Sequence, residues 1–184
     1  MPGTVKRMVT SVNKNNIVLV GFMGTGKTAV ARKLASKMSM RYVSVDEIVE
    51  KNEKRPISEI FRLEGEPYFR KLEKEIIKDL SAGSAQVIDC GGGAVVDQEN
   101  LDNLRASGWV FCLWADPAEI FRRVGGSRGR PLLNVEDPMK KIEELLKKRK
   151  SCYMKADFHI DTTGKTPAVV AEEVRRTFDG AGMR

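Results

Sequence analysis

The segment Gly21-Phe22-Met23-Gly24-Thr25-Gly26-Lys27-Thr28 has the spacing G-x-x-x-x-G-K-[ST]. Each residue type has a chemical reason to be there. Glycines let backbone N–H groups turn inward around a polyphosphate. The lysine reaches the β- and γ-phosphates, and the hydroxyl after it ligates Mg²⁺. A helix beginning near Lys27 adds the positive end of its dipole. The motif predicts a nucleoside triphosphate site, with Gly24, Thr25, Gly26, Lys27, Thr28 and Ala29 against the nucleotide and Thr28 on the metal. A flexible Gly-rich turn is the plainer alternative, and the apolar run before the motif and the helical pattern after it argue against that.

Other residues have the chemistry of an acceptor site. Asp46 follows an apolar run in Ser44-Val45-Asp46-Glu47, and Gly65-Glu66-Pro67-Tyr68-Phe69-Arg70 joins two helical stretches. Gly91-Gly92-Gly93 leaves the backbone bare directly after another apolar run, which suits either a tight loop or a ligand too close for any Cβ. Asp89, just before it, is in a Walker-B-like position for an Mg²⁺-linked carboxylate, or it caps the glycine turn. Residues 123–133, RVGGSRGRPLL, form a Gly-rich stretch bearing arginines. Arg149 falls on the apolar stripe Ile142, Leu145, Leu146, Tyr153, whereas Lys147, Lys148 and Lys150 fall off it. An inward arginine needs an anionic partner, either a protein carboxylate or the carboxylate of a ligand, which its planar fork fits bidentately. Arg70 is one step off the stripe Phe69, Leu72, Ile76, Leu80, so residue pattern alone leaves it a surface arginine.

Strand–helix alternation must position these groups. Apolar runs at 17–20, 42–45, 87–88, 109–114 and 158–160 read as strands. Helical patterns occupy 27–39, 47–51, 58–64, 68–80, 98–106, 118–124, 139–154 and 168–178. Such alternation implies an α/β fold with a parallel sheet covered on both faces, whose strand C-terminal ends receive ligands. Asp116-Pro117-Ala118-Glu119, Asp137-Pro138 and Thr166-Pro167 read as helix caps followed by a first-turn proline, and Gly65 as a helix stop.

Composition narrows the function classes. The chain has 184 residues, 41% hydrophobic and 31% charged, enough to bury a core and too apolar for global disorder. No apolar run approaches a membrane span, and residues 1–16 lack a signal-peptide core. Three widely spaced cysteines, Cys90, Cys112 and Cys152, point to a reducing, cytoplasmic setting. A single histidine, His159, excludes chemistry built on several. The net charge of +7 suits solvated helix faces and an anion clamp; no aromatics interleave a basic stretch, so neither nucleic acid nor membrane is an expected partner.

With GFMGTGKT, VDEIVE, GEPYFRKLE, GGGAVVD and RPLL in that order, and R-x-x-x-Y at 149–153, the sequence resembles the shikimate kinases over about residues 16–178. The resemblance implies a three-layer P-loop NTPase fold of the nucleoside-monophosphate-kinase type. Its central five-stranded parallel sheet is flanked by helices, with an acceptor-binding helical segment at about 46–80 and a mobile lid at about 122–135. It implies one domain, a monomer, ATP and Mg²⁺, and phosphorylation of the 3-hydroxyl of shikimate. By the same resemblance, Lys27, Asp46 and Arg130 are catalytic, with Asp46 taking the acceptor hydroxyl. Arg70, Gly91, Gly92, Gly93 and Arg149 bind the acid, and Arg123 and Pro167 enclose the adenine. The family's usual Asp-x-Asp after the second strand begins here with Ser44, which leaves Ser44 or Asp89 to reach the metal through water. A gluconate-type kinase and a catalytically weak nucleotide-binding module are the alternatives.

Overall fold

The five apolar runs form strands β1 (Asn16–Val20), β2 (Arg41–Ser44), β3 (Gln86–Asp89), β4 (Gly108–Trp114) and β5 (Phe158–Asp161). In the computed structural model, which describes residues 14–124, 133 and 135–182, they make one wholly parallel sheet in the order β2-β3-β1-β4-β5. Side chains alternate across it, as a pleated strand requires. Val18, Val20, Ile88, Val110 and Cys112 enter one core; Ile17, Leu19, Val87, Phe111 and Leu113 enter the other.

Eight α-helices among the described residues cover the two faces. The second core is closed by α1 (Lys27–Met38) and α8 (Pro167–Gly182). The first is closed by α2 (Val45–Glu53), α3 (Ile57–Leu63), α4 (Gly65–Ser81), α5 (Gln98–Ser107), α6 (Pro117–Val124) and α7 (Pro138–Tyr153). Fully buried side chains such as Leu34, Ile60 and Phe111 each contribute about 1.5–3 kcal/mol of transfer free energy.

Two boundaries differ from the sequence expectation, for local reasons. The strand expected at 42–45 stops at Ser44, because the Ser44 hydroxyl accepts a hydrogen bond from the Glu47 amide at 3.2 Å and caps α2. The Ser-x-x-Glu spacing of a capping box was therefore present. Residues 65–70 are the start of α4 and not a connection. Gly65, at φ 81°, makes the turn out of α3 and at once begins the next helix. Pro67 fits within that first turn, where no amide partner is needed. Two of the three expected caps are present, Asp137 accepting from the Lys140 amide at 3.0 Å and Thr166 from the Val169 amide at 3.4 Å, whereas Asp116 meets α6 through its backbone carbonyl, which accepts from the Ile120 amide at 2.9 Å. Within the lid expected at 122–135, residues 125–132 and 134, Arg128 and Arg130 among them, lie outside the described residues. Among the described residues, no helix is long and apolar enough to cross a membrane.

Candidate active site

The glycine motif leaves the C-terminal end of β1 and leads into α1. Gly21 is required by close approach, since a Cβ there would lie 2.1 Å from the Leu113 carbonyl oxygen of β4. Gly24 and Gly26 adopt φ of 79° and 90°, which side-chain-bearing residues avoid. The loop is closed on itself through the Phe22 carbonyl. It accepts from Thr25 Oγ1 at 2.8 Å and from Lys27 Nζ at 3.0 Å, so the ammonium lies over the loop. Ala29 is exposed on the first turn of α1.

Thr28 Oγ1 donates to Asp89 Oδ2 at 2.6 Å, joining the start of α1 to the end of β3. Asp89 is buried, and this burial holds its carboxyl above the ordinary carboxylate range, opposed by Lys27 and by the Thr28 bond. Ser44 is its in-register neighbour on β2, with its oxygen engaged as the α2 cap. A cleft of about 510 Å³ brings together Lys27, Thr28, Ser44, Asp46, Asp89 and Gly92. A hydroxyl and a carboxylate side by side beside a phosphate loop are hard oxygen donors of the kind Mg²⁺ takes. No group of three or more His, Cys, Asp or Glu among the described residues could hold a metal.

On the acceptor side, the glycines make room first for the protein's own side chains. A Cβ on Gly93 would lie 2.4 Å from Arg70 Nη2, and one on Gly91 would lie 2.9 Å from both Asp46 Oδ1 and Glu73 Oε1. Gly92 is not crowded in this way, its nearest neighbour being the Met23 amide nitrogen at 3.4 Å. Asp46 Oδ1 and Glu73 Oε1 are buried and accept no hydrogen bond. Burial raises the pKa of both carboxyls, against the pull of Lys27 on Asp46 and of Arg70 on Glu73. Two unpartnered carboxylate oxygens thus lie side by side against Gly91.

Arg70 is held by Glu73 at 2.6 Å and Glu66 at 2.8 Å. Arg149 is 7% exposed, so the inward direction read from its helical stripe is what the structure shows. Its Nη1 donates to the Gly92 carbonyl at 3.2 Å. Among the described residues no carboxylate lies within ion-pair distance of it, although its charge is felt by Glu73. Glu73 is the residue that sequence reasoning missed. It lies on the same apolar stripe as Phe69, Ile76 and Ile77, the signal that singled out Arg149 on α7.

On the far side of the glycine motif, Arg123 ties three elements together. It donates to Glu119 at 2.8 Å, to the Gly24 carbonyl at 3.2 Å and to the Thr162 carbonyl at 2.8 Å. Hydrogen bonds from Arg122, joined by Arg123, hold the Glu119 carboxyl down at about 2. A cleft of about 410 Å³ opens here between Arg123 and the Thr166–Pro167 start of α8.

A glycine cradle at the mouth of a parallel sheet, with a lysine and a hydroxyl beside buried carboxylates and arginines, defines a P-loop phosphotransferase. Comparison with known proteins narrows the class. The sequence profile of shikimate kinase matches residues 23–179. A shikimate kinase of Thermodesulfovibrio yellowstonii is 48% identical over 89% of this chain and 95% of its own length. One of Caldanaerobacter subterraneus is 45% identical over the same two shares. The solved structure of shikimate kinase from Acinetobacter baumannii in complex with shikimate superposes with a TM-score of 0.89 at 32% identity, covering 93% of this chain and 96% of that one. This chain belongs to the shikimate kinase family.

Proposed function

We propose that this protein transfers the γ-phosphoryl group of ATP to the 3-hydroxyl of shikimate, acting as a monomeric, cytoplasmic, single-domain kinase built on about residues 16–178. The observation that carries the reading is the convergence at one strand end of three things: the Lys27–Thr28–Asp89 cluster, the unpartnered Asp46 and Glu73 oxygens, and the inward Arg149. In this reading the loop amides and Lys27 take the phosphates. The ammonium is already lodged over the loop on the Phe22 carbonyl, so little reorganisation is needed when the nucleotide arrives. Asp46 accepts the hydrogen bond of the acceptor hydroxyl and receives its proton as the new O–P bond forms and the bond to ADP breaks. Arg149 and Arg70 hold the carboxylate of the acid and so fix which hydroxyl faces Asp46. Gly91, Gly92 and Gly93 form the floor of the acceptor pocket, and Arg123 and Pro167 line the base cleft. Arg130, outside the described residues, keeps the role its motif implies, stabilising the transferring group.

Thr28 and Asp89 are the residues that would hold Mg²⁺, the carboxylate through water. When bound, the ion neutralises charge on the transferring phosphates. Asp89 supports this better than Ser44, because the Ser44 oxygen already serves as a helix cap.

The test is a coupled ADP-release assay with shikimate, gluconate and nucleoside monophosphates. Turnover with shikimate and not with the others is expected, and its near-complete loss in Lys27→Ala. Comparable turnover of gluconate or a nucleotide, or none with any acid, would overturn the reading.

A further inference from the structure

Tyr153 closes the R-x-x-x-Y element, and the function proposed above gives it no task. Its phenol O–H donates to the Gly92 carbonyl at 2.5 Å, and the residue is buried in the first core. Arg149, one turn earlier on the same face of α7, donates to the same oxygen at 3.2 Å. A carbonyl has two lone pairs and can accept both. The two bonds are unequal, the phenol short and the guanidinium at the long end of the range.

Gly92 lies between two glycines that pack against Asp46, Glu73 and Arg70. With no side chains of their own, the three residues are held by backbone bonds and by what lies on them. If Arg149 were the sole side-chain donor to Gly92, a turn toward an incoming acid would leave a half-buried carbonyl in the middle of the pocket floor without a donor. Tyr153 is itself well anchored. Its ring is packed in the core, its own carbonyl meets His159 Nε2 of β5 at 3.1 Å, and burial keeps its phenol protonated by raising the pKa to about 12.

We propose that Tyr153 is a positioning residue. It holds the Gly92 carbonyl so that Arg149 can leave it for the carboxylate of the acid while the glycine floor keeps its shape. The proposal rests on Arg149 receiving that carboxylate.

The test is calorimetric titration of Tyr153→Phe, which keeps the ring, and separately of Arg149→Lys, with shikimate and with a non-hydrolysable ATP analogue. Tyr153→Phe should raise the Kd for shikimate by up to roughly tenfold, the scale of one hydrogen bond lost, and leave the analogue's Kd within about twofold. An unchanged Kd for shikimate, or equal losses for both ligands, would overturn the role of Tyr153. Arg149→Lys without effect on shikimate would instead overturn the reading beneath it. A crystal structure of the unsubstituted protein with shikimate gives a second check that needs no variant. The Tyr153–Gly92 bond should persist with Arg149 on the acid, and a broken Tyr153–Gly92 bond would end the proposal.

Discussion

Asp46 combines two properties that pull in opposite directions, a reactive position and a buried, unpartnered oxygen. Because burial raises its folded pKa, its contribution to stability is full below the unfolded value of about 3.8 and is lost as pH rises through the folded value. Asp46→Asn removes that penalty. It should raise the melting temperature at pH 8, with the gain vanishing toward pH 4. Turnover should fall by about a hundredfold or more. Scanning calorimetry and ADP release check both halves, and a variant no more stable than the parent at pH 8 would contradict the account. Gly93 offers a second test. Its φ of −114° suits alanine, so Gly93→Ala should fold, but the new methyl displaces the Arg70 guanidinium. The KM for shikimate should rise by about tenfold with the KM for ATP unchanged. Arg149 was legible in the sequence because a charge on an apolar stripe is a local signal. Glu73 carries the same signal, but its i,i+3 partner Arg70 makes it look like an ordinary surface pair.

Among the elements, α2 gives one residue a second job. Ser44 stands where a metal-linked carboxylate was expected, yet its spacing to Glu47 makes it a helix cap. Ser44→Ala should therefore lower stability by about 1 kcal/mol and leave the Mg²⁺ requirement unchanged. Asp89→Asn should do the reverse, raising the Mg²⁺ concentration for half-maximal rate by roughly tenfold or more, with Mn²⁺ binding followed by magnetic resonance as the independent measure. A shifted Mg²⁺ requirement in Ser44→Ala would return the metal role to β2. The Thr28–Asp89 contact was not legible locally, since 61 residues separate the partners and only the β1–β3 pairing brings them together. The strands and most helix starts were legible, because apolar runs and cap-plus-proline pairs are written in adjacent residues.

Across the whole molecule, alternation of strands and helices implied a parallel sheet, but the order β2-β3-β1-β4-β5 depends on crossovers that no local pattern records. That order makes two cores that share only the sheet. Leu34→Ala in one and Ile60→Ala in the other should each cost about 2–5 kcal/mol, and the double variant should be additive within about 0.5 kcal/mol in denaturant titrations. Ile60→Ala, beneath the helices that carry Asp46 and Arg70, should also raise the KM for shikimate more than that for ATP. Coupling well beyond that limit would show that the sheet does not insulate its two sides.

The division has a further meaning. Asp46, Arg70, Glu73 and Arg149 hang from helices on one side of the sheet, whereas Lys27, Thr28 and Pro167 begin helices on the other. The rim of strand ends is common ground, and so is α6, which packs in the first core yet carries Arg123 to the base cleft. A descendant lineage could rebuild α2, α4 and α7 to accept a new alcohol while inheriting Lys27, Thr28 and Pro167 in place, so change of diet need not endanger the energy supply.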